Sequence, residues 1–318
     1  MNILFVTHPY PNYVPDLLLH GLRKLMGPDV VDYPKKDCLY QGILGLGVCP
    51  KDQLCPDWFP PDKGDIDRED IWKKVNDGHF KYIICDCRSF SALLDNVTDW
   101  PLGLVVVDGE DSPAKVPPGK YVICRRETDG SDFSIPLPMA IPEEVLNWIT
   151  TYDNIPKHYN IGFLGCADAG NRKRTVEAIA QVCPDTLFQT SAVPSDEKPY
   201  PEGRMSRDDY YRSLQKCRMV LSLPGAGHDT FRFWENAACK AVHVSFKMPL
   251  FIPGDFVEGE HILRFSNIDE LRKTIEKVLE KKVQLDEMIS ETRYHLVKFH
   301  LTTKRAQYFF DRIEYAFT

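Results

Sequence analysis

Short apolar, β-branched runs alternate with amphipathic stretches along the whole chain, the pattern of a doubly wound α/β protein. Ile3–Thr7 reads as the first strand. Pro15–Met26 follows as a helix with Leu17, Leu18, Leu22 and Leu25 at helical spacing, and Gly27-Pro28 stops it. Val30–Tyr33 predicts a strand, Arg68–Asp77 a helix, and Tyr82–Asp86, Leu102–Asp108 and Lys120–Cys124 three further strands. Residues 34–67, rich in Pro, Gly and Asp, read as a long irregular excursion. Three prolines in 134–145 suggest a hinge carrying a short helix near Glu143–Thr150. The pattern then restarts. Strands are expected at His158–Gly165, Leu187–Thr190, Met219–Leu223 and Val242–Phe246. Helices are expected at Arg172–Val182, Arg207–Cys217, Asp229–Lys240, Ile268–Lys281 and Leu285–Thr318.

At 318 residues the chain is long enough for two α/β domains of ordinary size. Charge separates the halves. Residues 1–156 carry 15 basic and 24 acidic side chains, a net −9, and residues 157–318 carry 24 and 22, a net +2. An anionic ligand therefore belongs with the second half, and the overall net of −7 argues against nucleic acid held by the protein's global field. No apolar run approaches the roughly 20 residues of a membrane span. Met1–Tyr13 has neither a basic start nor a small-residue cleavage site, so the chain reads as cytoplasmic. Of ten cysteines, Cys85, Cys87, Cys124 and Cys166 sit in strand-like runs as small hydrophobes. Cys38, Cys49 and Cys55 form the one cluster that invites a metal, but their spacing is wrong for a zinc knuckle and no paired His follows. Reduced loop thiols are the expectation.

The strongest chemical signal is Val220–Glu235. A buried strand ends in Pro224-Gly225-Ala226-Gly227, and a helix is expected to open near Asp229 and Thr230. Glycines admit a ligand close to the backbone, and a helix N-terminus attracts phosphate. His228, Arg232, Glu235 and Cys239 follow at i, i+4, i+7 and i+11 and share one stripe. Arg232 can grip a phosphate in bidentate fashion, and Glu235 can accept hydrogen bonds from a ribose diol. Ser222, at the strand end, lies beside the loop. A plainer reading makes Asp229 a helix cap and Arg232–Glu235 a surface pair. A second basic turn, Arg172-Lys173-Arg174, opens a helix where the helix dipole disfavours cations unless an anion sits there.

The segment Asp229-Thr230-Phe231-Arg232-Phe233-Trp234-Glu235-Asn236-Ala237, followed by Ala241-Val242-His243-Val244, resembles the C-terminal half of GT-B glycosyltransferases of the exostosin-like and CgeB-like groups. Lys240 and His243 stand where those families usually have Gly and Pro. Residues 210–217 and 300–305 are similar to the family's flanking helices, so the resemblance spans about 157–310. It implies two Rossmann-like domains across a cleft: an acceptor domain at 1–150, a nucleotide-sugar domain at 151–300, and a closing helix at 301–318 crossing back to the first. It also implies a nucleotide-sugar donor, UDP-linked by family frequency, with Arg172 first and Arg174 second on the diphosphate, and no metal or other cofactor.

The first half must then supply the catalytic group. His8 follows the first strand, where open α/β sheets bind ligands, and is the leading base. Asp108, Glu110 and Asp111 after another strand are the carboxylate alternatives. Gly227 stands eight residues before Glu235, where retaining enzymes carry a first glutamate, which tilts the reading towards inversion. The reading is a metal-independent glycosyltransferase with an unidentified acceptor hydroxyl. Its rivals are a nucleotide-sugar epimerase, a non-catalytic sugar-binding module, and a phage-type enzyme glycosylating modified DNA bases through Lys35, Lys36, Lys51 and Lys63.

Overall fold

A computed structural model of the protein describes residues 2–41, 58–166, 171–191, 205–280 and 285–317. The chain forms two compact units: Met1–Pro142 with Leu250–Pro253 and Leu301–Thr318, and Glu143–Pro249 with Gly254–His300.

In the first unit β1 (Ile3–Val6) leads through α1 (Tyr13–Met26) to β2 (Val30–Tyr33). Then follow α2 (Ile71–Asn76), β3 (Tyr82–Asp86), α3 (Phe90–Leu94), β4 (Leu104–Asp108), β5 (Val122–Arg125) and β6 (Ile135–Pro136). The strands pair in parallel in the order β2-β1-β3-β4-β5-β6. Every residue of β1, β3 and β4 is buried, as a parallel sheet covered on both faces requires. Leu4, Val6, Ile83 and Val106 pack on one face with Ile71 and Val75 of α2 and Phe90 and Leu93 of α3.

The second unit runs α4 (Glu143–Thr150), β7 (Tyr159–Cys166), α5 (Arg172–Ala180), β8 (Thr186–Ser191), α6 (Arg207–Gln215) and β9 (Cys217–Ser222). It continues with α7 (Phe231–Ala238), β10 (Val242–Phe246), β11 (Leu263–Phe265), α8 (Ile268–Leu279) and α9 (Leu285–Phe299). Its parallel sheet has the order β11-β10-β9-β7-β8. Ile161, Phe163, Leu221 and Val244 meet Val176 and Ile179 of α5 and Leu271 and Ile275 of α8. Full burial of each such side chain contributes about 1.5–3 kcal/mol.

The last helix, α10 (Thr302–Phe317), belongs to the first unit and packs on α1. The single helix expected over Leu285–Thr318 is therefore two. Leu301 forms a parallel bridge with Ile141, and Thr302 N–H donates to Ile141 O at 3.0 Å, which takes these residues out of helical bonding. The helix expected to open at Asp229 starts at Phe231 with Thr230 as N-cap. Strand order reverses between β1 and β3 in one sheet and between β7 and β9 in the other. Open α/β sheets bind ligands at the carboxyl ends of such reversals. Cys38 is buried, while Cys49, Cys55 and Lys51 lie outside the described residues.

Candidate functional site

At the β7/β9 reversal two arginines converge. Arg172 is the first residue of α5 and only 7% exposed. It donates from Nε to Pro224 O (2.7 Å), from Nη1 to Cys166 O (3.0 Å) and from Nη2 to Leu223 O (3.3 Å). Its guanidinium thus ties the end of β7 to the loop after β9. Arg232, on the first turn of α7, donates from Nε to Leu164 O at 2.7 Å. Both guanidiniums approach the Phe163 ring, at 5.9 and 4.8 Å from its centroid. Two glycines make room. A Cβ on Gly165, whose φ is +151°, would lie 1.9 Å from Arg232 Nη2, and one on Gly225 would lie 2.9 Å from Arg172 Nη2. Among the described residues neither arginine forms an ion pair with a carboxylate; the recorded acceptors are main-chain carbonyls. Burial, and then the charge of Arg232, bring the Arg172 pKa down to about 10. Two like charges held by neutral acceptors are an unfinished site, and an anion would finish it.

The other donor-side expectations fare unevenly. Glu235 does not present a free carboxylate on the helix face. It is 8% exposed, and its two oxygens accept from Tyr210 Oη (3.0 Å) and Tyr211 Oη (2.9 Å). Burial pushes its pKa up, against the tyrosine hydrogen bonds and the charge of Arg232. The plain i,i+3 pair of Arg232 and Glu235 is not formed either, because the tyrosines take the carboxylate. Asp229, 2% exposed, accepts from Trp234 Nε1 at 2.9 Å. Ser222 is locked in the core between His243 Nε2 (2.9 Å) and Asn236 Nδ2 (2.8 Å), and burial brings the His243 pKa down to about 3, so its ring is neutral. Gly225 N–H is spent on Gly227 O at 2.8 Å, which turns the loop and withdraws that donor from an anion. Ala226 is exposed, while His228 and Thr230 line a shallow indentation with Ser245 and Met248. Arg174 is exposed and takes no part in the carbonyl contacts of Arg172.

At the β1/β3 reversal lies a second cluster. His8 Nδ1 accepts the Tyr10 N–H at 3.2 Å, so the neutral ring carries its proton on Nε2. Burial and then Arg88 lower the His8 pKa, which favours that neutral form. In that form Nε2 is the donor, and action of His8 as a base would require giving up the Tyr10 hydrogen bond. Asp108, 1% exposed, is also committed: it accepts from Arg125 Nε (3.0 Å), Ala114 N (2.8 Å) and Glu110 N (3.2 Å). Asp111 pairs with Arg126. Glu110, its side chain 41% exposed, has long contacts: Oε1 accepts from Asn12 Nδ2 (3.3 Å) and lies 3.6 Å from Arg88 Nε.

Arg88 carries no signal in the sequence, and Lys36 reads there only as part of a phosphate patch. Lys36, 1% exposed, donates to His8 O (2.6 Å) and Tyr10 O (2.8 Å) and pairs with Asp16 Oδ1 (3.0 Å). Arg88 holds Tyr10 O (3.0 Å) and Pro11 O (3.4 Å) while paired with Asp86 (3.0 Å). No sequence spacing marks a lysine that will be buried. Its burial also removes it from the suggested phosphate patch, in which Lys35 lies 3.5 Å from both Asp37 and Asp62.

Residues 172–311 match a family model described as glycosyl transferase-like. None of the curated proteins is similar enough in sequence to count as a match. Among solved structures, HepE from Anabaena, in complex with UDP, superposes with a TM-score of 0.61 at 12% identity, covering 99% of this chain and 100% of its own. A glycosyltransferase from Rickettsia africae gives 0.60 at 9% identity (98% and 97% covered), and sucrose-phosphate synthase from Thermosynechococcus elongatus 0.59 at 11% (100% and 99%). Two parallel α/β sheets of six and five strands with this likeness define the GT-B fold. The family match lies over the second half of the chain, and the likeness to solved structures gives the GT-B fold of the whole.

Proposed function

We propose that the protein transfers a sugar from a nucleoside diphosphate sugar to an acceptor hydroxyl, without a metal ion and with inversion at the anomeric carbon. The observation that carries this reading is the Arg172–Arg232 pair: two cations at the β7/β9 reversal whose acceptors among the described residues are main-chain carbonyls. A diphosphate develops charge as it leaves, and preorganised guanidiniums stabilise it without the reorganisation that water would need. They supply the positive charge that a divalent ion would otherwise bring. UDP is the favoured nucleotide, supported by the UDP complex of HepE. The indentation beside His228 and Thr230 adjoins the same loop. Arg232 and Arg172 take the phosphates, and Glu235, fixed by its tyrosines, orients α7 more than it touches the ribose.

The first unit holds the acceptor. Glu110 replaces His8 as the base: its nitrogen contacts, 3.3 Å to Asn12 and 3.6 Å to Arg88, are the longest of the carboxylates after β4, while His8 Nε2–H donates to the acceptor. Calorimetric titration with UDP, UDP-glucose, ADP and GDP in EDTA tests the donor assignment. Binding of a nucleoside diphosphate that survives chelation, and that Arg232→Ala weakens, supports it. Binding that vanishes in EDTA and returns with manganese refutes metal independence. The anomeric configuration of the product, read by NMR, decides inversion.

A further inference from the structure

We propose that the acceptor is an uncharged carbohydrate, bound at the carboxyl edge of the first sheet by ring stacking and hydrogen bonds and not by charge. This rests on the reading that the first unit receives the acceptor. Four basic side chains at that edge are matched by carboxylates, while Lys115 of the loop after β4 is exposed beside them. Lys36 pairs with Asp16, Arg88 with Asp86 and Glu110, Arg125 with Asp108 and Asp132, and Arg126 with Asp111 and Glu127. A phosphorylated acceptor or a nucleic acid backbone would need cations not so engaged, and would meet the exposed carboxylates of Glu110 and Asp111 instead.

What the edge does offer is aromatic surface on braced loops. Tyr10 is 44% exposed, on a loop whose carbonyls are pinned by Lys36 and Arg88. Phe133 is fully exposed, on the loop that leaves the carboxyl end of β5. That loop is folded around Asp132, which accepts from Thr128 Oγ1 (2.7 Å) and Ser134 Oγ (2.6 Å) and pairs with Arg125. Arg125 also holds Asp108, so the Phe133 loop is anchored to the end of β4. A rigid aromatic ring in water has gained nothing from folding, and an apolar ligand face would recover that cost. The C–H face of a pyranose fits a ring of this kind. Its hydroxyls suit the remaining groups, a His8 N–H donor and a Glu110 acceptor.

The test uses the full chain, saturating nucleotide sugar and three acceptor classes: neutral aryl glycosides and oligosaccharides, the same sugars phosphorylated, and duplex DNA. Transfer to neutral acceptors, with a KM insensitive to salt, is expected. Tyr10→Ala and Phe133→Ala should each raise the acceptor KM about tenfold with donor affinity and melting temperature unchanged, and Tyr10→Phe should restore it. Faster transfer to phosphorylated sugars or DNA with a steep salt dependence overturns the proposal, as does an unmoved acceptor KM in both alanine variants. Donor binding measured separately identifies which reading fails. A chain that binds donor but ignores neutral sugars defeats this proposal alone, and one that binds no nucleotide defeats the functional reading too.

Discussion

The two sheets reverse strand order at equivalent points and both gather basic side chains there, yet they neutralise the charge in opposite ways. At β7/β9 the guanidiniums of Arg172 and Arg232 lean on carbonyl oxygens, and burial beside a like charge lowers the Arg172 pKa to about 10. At β1/β3 Lys36 and Arg88 lean on carbonyls too, but Asp16 and Asp86 complete them. The first arrangement stores attraction for an anion. The second is satisfied without a ligand, and uses its cations to fix the loop carrying His8 and Tyr10. One architecture thus yields an anion site or a rigid neutral platform, depending on whether a carboxylate stands within reach of the cation.

The largest effect that could break this comparison lies at Glu110. Glu110→Gln should lower turnover about 10²–10⁴-fold while leaving nucleotide affinity in place, and His8→Ala should cost less than that. If steady-state rates rank these two variants the other way, the base is His8 and the Nδ1 hydrogen bond to Tyr10 must break during catalysis. Lys36→Met comes next. It strands the buried Asp16 carboxylate, so chemical denaturation should show a loss of about 3–5 kcal/mol. A change below 1 kcal/mol would mean that the ammonium is not the clamp described here.

Arg232→Ala is expected to weaken nucleoside diphosphate binding by about 1.5–3 kcal/mol, with little change in melting temperature without ligand, because a like charge beside Arg172 is removed. Unchanged affinity would remove the arginine pair from the donor site. Gly165→Ala sharpens the same point without deleting a charge. The new Cβ collides with Arg232 Nη2 at a φ that side chains rarely adopt, a strain of about 1–3 kcal/mol, and donor affinity should fall with the displaced guanidinium. The smallest effect concerns acid. Hydrogen bonds from Ser134 and Thr128 and the Arg125 ion pair, outweighing burial, bring the Asp132 pKa down to about 2 from an ordinary 3.8. A carboxyl lowered on folding contributes stability that is present above its unfolded value and lost as pH falls towards 2. Urea midpoints measured from pH 5 to 2 should therefore decline, and Asp132→Asn should remove that part of the slope.

Sequence by itself determined the two-unit α/β design and most strand positions. Those rest on local period and on runs of buried β-branched residues, which neighbours along the chain set. Val30–Tyr33, Tyr82–Asp86, Glu143–Thr150 and Val242–Phe246 match to the residue. Arg172 was legible for the same kind of reason, a cation at a helix start that the helix dipole disfavours. Elements as short as β6, β11 and α3 carry too few residues for a period to show. What only the tertiary structure decided is which polar groups are already satisfied. Glu235 shares a helical stripe with Arg232 in sequence, but Tyr210 and Tyr211, some 24 residues earlier, claim its oxygens. Asp108 is spoken for by Arg125, the His8 tautomer is set by the turn at Tyr10, and Lys36 is buried by partners in the loop after β1 and in α1. Hydrogen-bond partners from distant segments settle whether a titratable side chain serves the fold or a ligand, and no spacing along the chain records them.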